Sequence, residues 1–424
     1  MAIDMVKFNN NIAVDKGRLI IDGISAVDIS GSYGTPIYAY SRSQITENFR
    51  LVLSSIKSFY KKSKLLFPIK SNSNKQIMKL LKNEGAGADC ASPGEIDIAL
   101  NAGFRKEDIL YTGNYLSASQ LLYGVKSGVK INLDDIRYIN LLKRSIKAAD
   151  IDTLSFRVNP GIGVGSHKGI VTGGREAKFG IRIDHIKTAY KEALSLGIKK
   201  FGIHMMAGSN ELNWRKFDEL SNILLDTAGK ISDALGIEFE FIDFGGGFGI
   251  PYMPRMPELD IRKACKSIAD NLKQCSETHD IGNPWIYLEP GRYIVGNAGL
   301  LLASVTSVKD SYNKFIGCDA GMNVLLRPAL YGAYHHVLLD GKIDASLDRS
   351  GYMRGKKEKV SICGQVCENT DIIARDRRMP LGIKSGDTLI LCDAGAYGFS
   401  MSSNYNNFGY AKEVLCYNGK AKLI

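Results

Sequence analysis

A lysine closes the apolar run Leu65-Leu-Phe-Pro-Ile-Lys70. Ser71-Asn-Ser-Asn74 follows, and a helical pattern starts near Lys75. This stretch predicts a short buried strand that delivers one amine to the end of a sheet. A bare ammonium is expensive to bury. An amine that is neutral and condensed with a carbonyl, as a Schiff base, is not. The plain alternative is a lysine that only caps the strand and faces water.

Three further stretches carry chemistry. Asp243-Phe-Gly-Gly-Gly-Phe-Gly249 contains Gly245, Gly246 and Gly247 in a row. Such a run exposes backbone N–H groups and lets a phosphate come close, although it also suits a tight turn. Ala207-Gly-Ser-Asn210 places Ser209 at the end of the preceding strand pattern. Glu289-Pro-Gly-Arg292 ends another apolar run with a carboxylate and a guanidinium, which either pair with each other or serve a ligand. With Lys70 they form a set: an amine for a carbonyl, a carboxylate for a ring nitrogen, and glycines with a serine for a phosphate. That set matches pyridoxal 5'-phosphate, whose proteins supply a Schiff-base lysine and a partner for the pyridinium nitrogen.

The elements that must position these groups alternate. Strand patterns lie at 65–70, 87–91, 109–113, 130–134, 154–159, 201–207, 239–245 and 285–289. Helix patterns lie between them near 75–83, 94–102, 118–127, 135–148, 183–196, 214–235 and 260–275. Eight strands with interposed helices predict a (β/α)8 TIM barrel, usually about 250 residues long. A doubly wound sheet is the alternative. The barrel is preferred because the chemistry-bearing residues end nearly every strand, and a barrel gathers those ends around one mouth. After about 296 the pattern turns to short β segments with Gly, Asp and Asn turns, which predicts an all-β second domain. The division expected is 1–38 as N-terminal strands joining the β domain, 39–295 as the barrel, and 296–424 as the β domain.

Composition limits the function class. The chain has 424 residues, 45% hydrophobic and 23% charged, as in ordinary globular proteins. No apolar run approaches the roughly 20 residues that span a bilayer, and the first ten residues lack a secretory pattern, so a cytoplasmic protein without a membrane partner is expected. The eight cysteines are scattered without a CxxC pair, and the six histidines form no HExxH motif. The adjacent His335-His336 has no evident third ligand, so neither a disulfide framework nor a metal site is expected. The formal charge of +11 is spread over many predicted helices. Its densest run, Arg354-Gly-Lys-Lys-Glu-Lys359, is short and carries an acid. No basic stripe with interleaved aromatics appears, so nucleic acid is not expected as a partner. A positive field still suits an anionic small substrate.

A family resemblance adds to this reading. The matching stretches are Gly34-Thr-Pro-Ile-Tyr38, Pro68-Ile-Lys-Ser-Asn72, Gly87-Ala-Asp-Cys-Ala-Ser92 with Gly94-Glu95, Arg157-Val-Asn-Pro160 and Lys178-Phe-Gly180. They continue through the glycine run and Glu289-Pro-Gly-Arg292 to Arg327-Pro-Ala-Leu-Tyr331, Cys367-Glu368, Gly395-Ala-Tyr-Gly398 and Asn404-Tyr-Asn406. In that order, the chain resembles the fold-type III pyridoxal-phosphate decarboxylases, with their alanine racemase-like barrel and β domain. Within them it most resembles the diaminopimelate decarboxylase family. The resemblance implies a lyase of lysine biosynthesis that converts meso-diaminopimelate to L-lysine and CO2, working as a homodimer with active sites shared between subunits. It implies that Lys70 carries the cofactor, Glu289 pairs with the pyridine nitrogen, and Ser209, Gly246 and Tyr405 contact the phosphate region. Asp89, Arg157, His204, Met206, Gly245, Gly247, Gly291 and Arg292 complete the implied cofactor site. Cys367, offered by the partner chain, is the implied acid that reprotonates the carbanion. Arg292, Arg327, Tyr331 and Tyr405 are implied to read the substrate, with Glu368 accepting its distal ammonium.

The pattern departs from the family in places. The family usually sets a histidine against the cofactor ring, two residues beyond a first histidine. Here His204 matches the first, and Met206 holds the stacking position. A thioether packs against a ring but neither carries charge nor donates a proton. Val324 and the Asn406-Asn-Phe-Gly-Tyr410 segment also differ. These changes leave open a decarboxylase of a larger substrate, such as an N-acylated diamino acid of a secondary pathway. A reading of another class is a regulator that binds the cofactor without turnover.

Overall fold

The computed structural model describes residues 6–7, 9–145, 147, 150–165, 172–254, 256–344, 353 and 355–424. Arg354 of the basic run, and positions 146 and 148 at the end of the 135–148 helix pattern, lie outside the described residues. The chain divides into two compact units: Phe49–Gly249 with Glu258–Gly291, and Met1–Asn48 with Ile250–Pro257 and Arg292–Ile424.

The first unit is a closed parallel barrel. Its strands are β1 (Ser63–Pro68), β2 (Gly87–Cys90), β3 (Ile109–Gly113), β4 (Lys130–Leu133), β5 (Leu154–Asn159), β6 (Phe201–Met205), β7 (Phe239–Asp243) and β8 (Trp285–Leu288). Each pairs in parallel with the next, and β8 closes on β1 through Ile286↔Ser63 and Leu288↔Leu65. All eight predicted strands are present. They are buried on both faces, as strands between a barrel core and a helical shell must be. Helices start directly after the strands because capping residues stand there. Asn74, Ser92 and Asn213 accept from the first-turn N–H groups of Lys75–Asn83, Pro93–Ala102 and Trp214–Leu235. Gly103, Gly128 and Gly236 end helices in the left-handed conformation.

Below its mouth the barrel is plugged. Leu66, Leu110, Phe241 and Tyr287 form one buried cluster. The Phe241 and Tyr287 rings stack with centroids 4.7 Å apart. Gly202 makes room for them: a Cβ there would stand 2.2 Å from the Phe241 ring. Truncating such a buried ring costs about 3–5 kcal/mol, so the plug is a stable floor for whatever lies above it.

The second unit is β-rich. Strand Ile37–Ser41 lies between Gly299–Asp310, antiparallel, and Lys412–Tyr417, parallel. Gly299–Asp310 also pairs with Lys314–Cys318 and Thr388–Leu391, and the sheet continues through Lys357–Cys363 to Ile372–Pro380. The N-terminal residues Ile12, Val14, Leu19 and Ile21 share one apolar core with Ala39, Leu300, Leu302, Ile390 and Val414. Among the described residues, no helix is long and apolar enough to cross a membrane.

Candidate active site

Within the barrel unit, the predicted residues meet at the C-terminal ends of the strands. Lys70 is one step removed from the expectation. The strand stops at Pro68, and Ile69–Ser71 form a single 3-10 turn that lifts Lys70 above the rim. Its side chain is 45% exposed, and its amine pairs with Asp89, which is 1% exposed, on β2. Burial, and then the nearby Glu289 charge, push the Asp89 carboxyl upward against the pull of Lys70.

Opposite, the parallel register levels three side chains. Arg157 on β5 aligns with His204 on β6, and His204 with Asp243 on β7. Glu289 follows β8, and its N–H donates to the Gly245 carbonyl at 2.8 Å. Burial acts to raise the Glu289 carboxyl, but His204, Lys70 and Arg157 outweigh it and bring it to about 2. Glu289 is therefore an anion inside the barrel. Its neighbour Asp243 moves the other way: burial, and then the Glu289 charge, push it well above the usual carboxylate range. Gly245 N–H donates to Asp243 Oδ1 at 2.8 Å. Two close carboxyls are thus pushed in opposite directions, because a second charge beside the first is costly in a buried site.

Several buried atoms here lack a hydrogen-bond partner among the described residues: Asp89 Oδ1, both ring nitrogens of His204, Asp243 Oδ2 and Glu289 Oε1. Each unmet buried polar group costs about 1–3 kcal/mol, so this wall suits a polar ligand. His204 Nε2 lies 3.7 Å from Glu289 Oε1, too long for a hydrogen bond. The donor atoms of His204, Asp243 and Glu289 lie within 4.8 Å of one another, which is also a metal-like grouping. The Glu289 anion in this group suits a pyridinium nitrogen.

The glycine run is shaped for close approach. Gly245 and Gly247 have φ of +67° and +91°. A Cβ on Gly246 would stand 2.2 Å from the Glu289 carbonyl oxygen, and one on Gly247 2.8 Å from that of Gly208. Ser209 follows in the two-residue strand Gly208–Ser209. The Gly246 N–H reaches the Met206 sulfur at 3.2 Å, a weak acceptor that a phosphate oxygen exceeds. Met206 itself is half-buried, with its carbonyl accepting from Arg157 at 3.2 Å and Thr172 at 3.2 Å. Arg157 thus supports the Met206 segment, and its guanidinium lies 4.7 Å from the Phe179 ring centroid. Gly291 packs its Cα against Ser71, where a Cβ would come within 3.0 Å. An amine at the rim, an anion for a ring nitrogen, orphaned acceptors and a bare backbone cradle together fit pyridoxal phosphate.

The β unit holds two other groups. In the first, Arg292 and Arg327, each 6% exposed, flank Tyr252. Arg292 Nη1 donates to the Tyr252 hydroxyl at 2.5 Å, and its guanidinium lies 4.8 Å from the Tyr397 ring. Arg327 lies 4.6 Å from the Tyr252 ring and donates to His335 Nε2 at 2.7 Å. Tyr331 ends the short helix Arg327–Tyr331 and is half-buried. In the second group, at the surface, Cys367 N–H donates to Asn406 at 2.8 Å and the Tyr405 hydroxyl donates to Glu368 at 2.6 Å. Cys367 and Glu368 are exposed, and Tyr405 is 42% exposed.

Sequence reasoning missed Asp243, Tyr252, Tyr397 and His335 as site residues. Asp243 was within reach, since it ends an apolar strand as Lys70 does. Tyr397 lies in the matching stretch Gly395-Ala-Tyr-Gly398 and His335 was weighed only as a metal ligand, whereas Tyr252 carries no local signal, because its partners lie far along the chain.

Known proteins similar to this chain point to the same cofactor. A family model described as pyridoxal-dependent decarboxylase, pyridoxal binding domain, matches residues 42–296. The chain is 43% identical to diaminopimelate decarboxylase of Methanothermobacter thermautotrophicus, over 97% of this chain and 93% of that protein. It is 37% identical to that of Archaeoglobus fulgidus, over 94% and 92%. Among solved structures it is similar to M. jannaschii diaminopimelate decarboxylase in complex with L-lysine, with TM-score 0.87, 31% identity, and coverage of 98% of this chain and 95% of that one.

Proposed function

The chain belongs to the diaminopimelate decarboxylase family of pyridoxal-dependent decarboxylases, and we propose that it converts meso-diaminopimelate to L-lysine and CO2 in lysine biosynthesis. The observation that carries the substrate is the pair Arg292 and Arg327, both buried against Tyr252. Two buried guanidiniums suit a substrate carboxylate that is not lost in the reaction. A diamine-forming decarboxylase acting on ornithine has no such group to hold.

Bound pyridoxal phosphate supplies an electron sink for the pair left when CO2 departs. The protein supplies position and charge. Lys70 would hold the cofactor through its amine and would give way there to the substrate amine. Glu289, anionic throughout the working range, would face the pyridine nitrogen and favour its protonated form, with the Asp243 carboxyl pushed upward beside it. The glycine run, with Ser209, offers N–H and O–H donors to the phosphate. Arg292, Arg327 and Tyr331 hold the distal carboxylate. Cys367 gives a proton to the carbon that lost CO2, Glu368 accepts from the distal ammonium, and Tyr405 lies beside them.

We assign Cys367, Glu368 and Tyr405 to the partner subunit's site in a homodimer. Their exposure on the β unit supports this, since a proton donor facing solvent in one chain is available to another. A cytoplasmic setting fits eight cysteines scattered without pairing motifs.

The experiment is direct. Purified protein with pyridoxal phosphate and meso-diaminopimelate should release CO2 and L-lysine in equal amounts. Silence with that compound, beside turnover of an N-acylated ornithine, would replace this reading with the secondary-pathway one that the Met206 departure leaves open.

A further inference from the structure

Arg327 is a buried cation with an unusual partner. It is 6% exposed, yet among the described residues no carboxylate pairs with it. Its Nη1–H instead donates to His335 Nε2 at 2.7 Å. His335 is itself fully buried, and its Nδ1 lies 2.9 Å from the Cys392 carbonyl oxygen. A carbonyl only accepts, so Nδ1 carries the proton and Nε2 is left as the acceptor for Arg327. The Tyr252 ring meets both partners: its centroid is 5.4 Å from the His335 ring, edge-on, and 4.6 Å from the Arg327 guanidinium.

We propose that His335 is a positioning residue for the substrate's distal carboxylate: it fixes the Arg327 guanidinium by accepting a hydrogen bond and leaves its charge whole for the ligand. A carboxylate in place of His335 would hold Arg327 as well but would neutralise it, and an anionic substrate would then compete with an internal ion pair. A neutral imidazole avoids that competition. Burial, and then the Arg327 charge, hold the His335 ring down at about 3, so the imidazole stays neutral wherever the enzyme works. The inference rests on the dicarboxylate reading above and deepens it, since it names what orients one of the two arginines.

The test is steady-state kinetics on the full-length enzyme loaded with pyridoxal phosphate. Three small molecules separate the roles: meso-diaminopimelate as substrate, L-lysine, which keeps the distal carboxylate, and cadaverine, which has none. The amide of His335→Asn reaches the Cys392 carbonyl but falls short of Arg327. It should raise KM for meso-diaminopimelate and the inhibition constant of lysine together, by about tenfold. The inhibition constant of cadaverine and kcat should stay near wild type. His335→Gln, whose amide oxygen extends to the place of Nε2, should recover most of the loss. Unchanged KM and lysine inhibition in His335→Asn would overturn the assignment. Equal losses for lysine, cadaverine and kcat would overturn it too, by marking a general packing role. Should His335→Asn fail to fold, 15N NMR of the histidine rings in the wild type decides, with His335→Gln identifying the signal. A neutral ring protonated at Nδ1 is expected, and a ring protonated at Nε2 overturns the proposal. Wild-type enzyme silent with meso-diaminopimelate overturns both this inference and the substrate reading. An active wild type with an indifferent His335→Asn overturns this inference alone.

Discussion

Glu289 Oε1 lies 3.7 Å from His204 Nε2, and both side chains are sealed from solvent at the barrel mouth. His204 is on β6 and Glu289 immediately follows β8, two strands that are not neighbours, with β7 and its Asp243 between them. The two carboxyls are therefore pushed in opposite directions, Glu289 down and Asp243 up. Glu289 faces an imidazole, with Lys70 and Arg157 adding to the field.

Glu289→Gln should keep the shape and lose the charge. The expected result is cofactor retained, as read by absorbance and phosphate content, with kcat lower by about a hundredfold or more. A variant within a few-fold of wild type would show that the pyridine nitrogen needs no anion. The pH dependence has a definite sign. The folded carboxyl sits near 2 against an ordinary 4.5. Its contribution to stability is therefore complete above 4.5 and is lost as pH falls from there through 2. Urea midpoints of wild type and Glu289→Gln measured at descending pH should converge in that window.

Borohydride treatment of the loaded enzyme, followed by peptide mapping, should place a pyridoxyl mass on Lys70. Lys70→Ala should lose both that mass and the activity. A label on another lysine would leave the ion pair between Lys70 and Asp89 as an ordinary structural contact.

Gly246→Ala tests the cradle. The added methyl meets the Glu289 carbonyl oxygen, a backbone atom that moves only with β8. Destabilisation of about 1–3 kcal/mol is expected, with weaker retention of pyridoxal phosphate on dialysis. Gly246 itself lies outside the left-handed region, so Gly31→Ala, where φ is likewise not positive and a Cβ would meet nothing within 4 Å, is the control for an added methyl without a clash.

Shared sites make a quantitative prediction. Cys367→Ala and Lys70→Ala homodimers should each be nearly inactive. Mixed and allowed to exchange, half of the dimers become heterodimers with one intact site of two. Activity should then return to about a quarter of wild type. No recovery after proven exchange would place Cys367 in its own chain's site.

Much of the barrel was legible because its strands are short apolar runs, several of them closed by a polar residue and followed by a capping signal. That pattern is local, and burial on both faces writes it into consecutive residues. Lys70 was legible as an oddity at the end of such a run, although Pro68 stops the strand two residues sooner and a 3-10 turn carries the amine over the rim. Glu289 and the glycine run stood out for the same reason: residues that fit badly in a strand interior mark where the strand meets a ligand.

From its order of residues alone, this chain determines a ring of parallel strands, a β-rich remainder and an amine, an acid and a glycine run at strand ends. Only the tertiary structure decided which carboxyl is held down and which is pushed up, since Asp243 and Glu289 differ in what surrounds them and not in type. It also decided what holds Arg327, because Tyr252, His335 and Cys392 come from separate stretches of the chain. Burial and electrostatic fields are sums over neighbours in space, and no local pattern of residues records them.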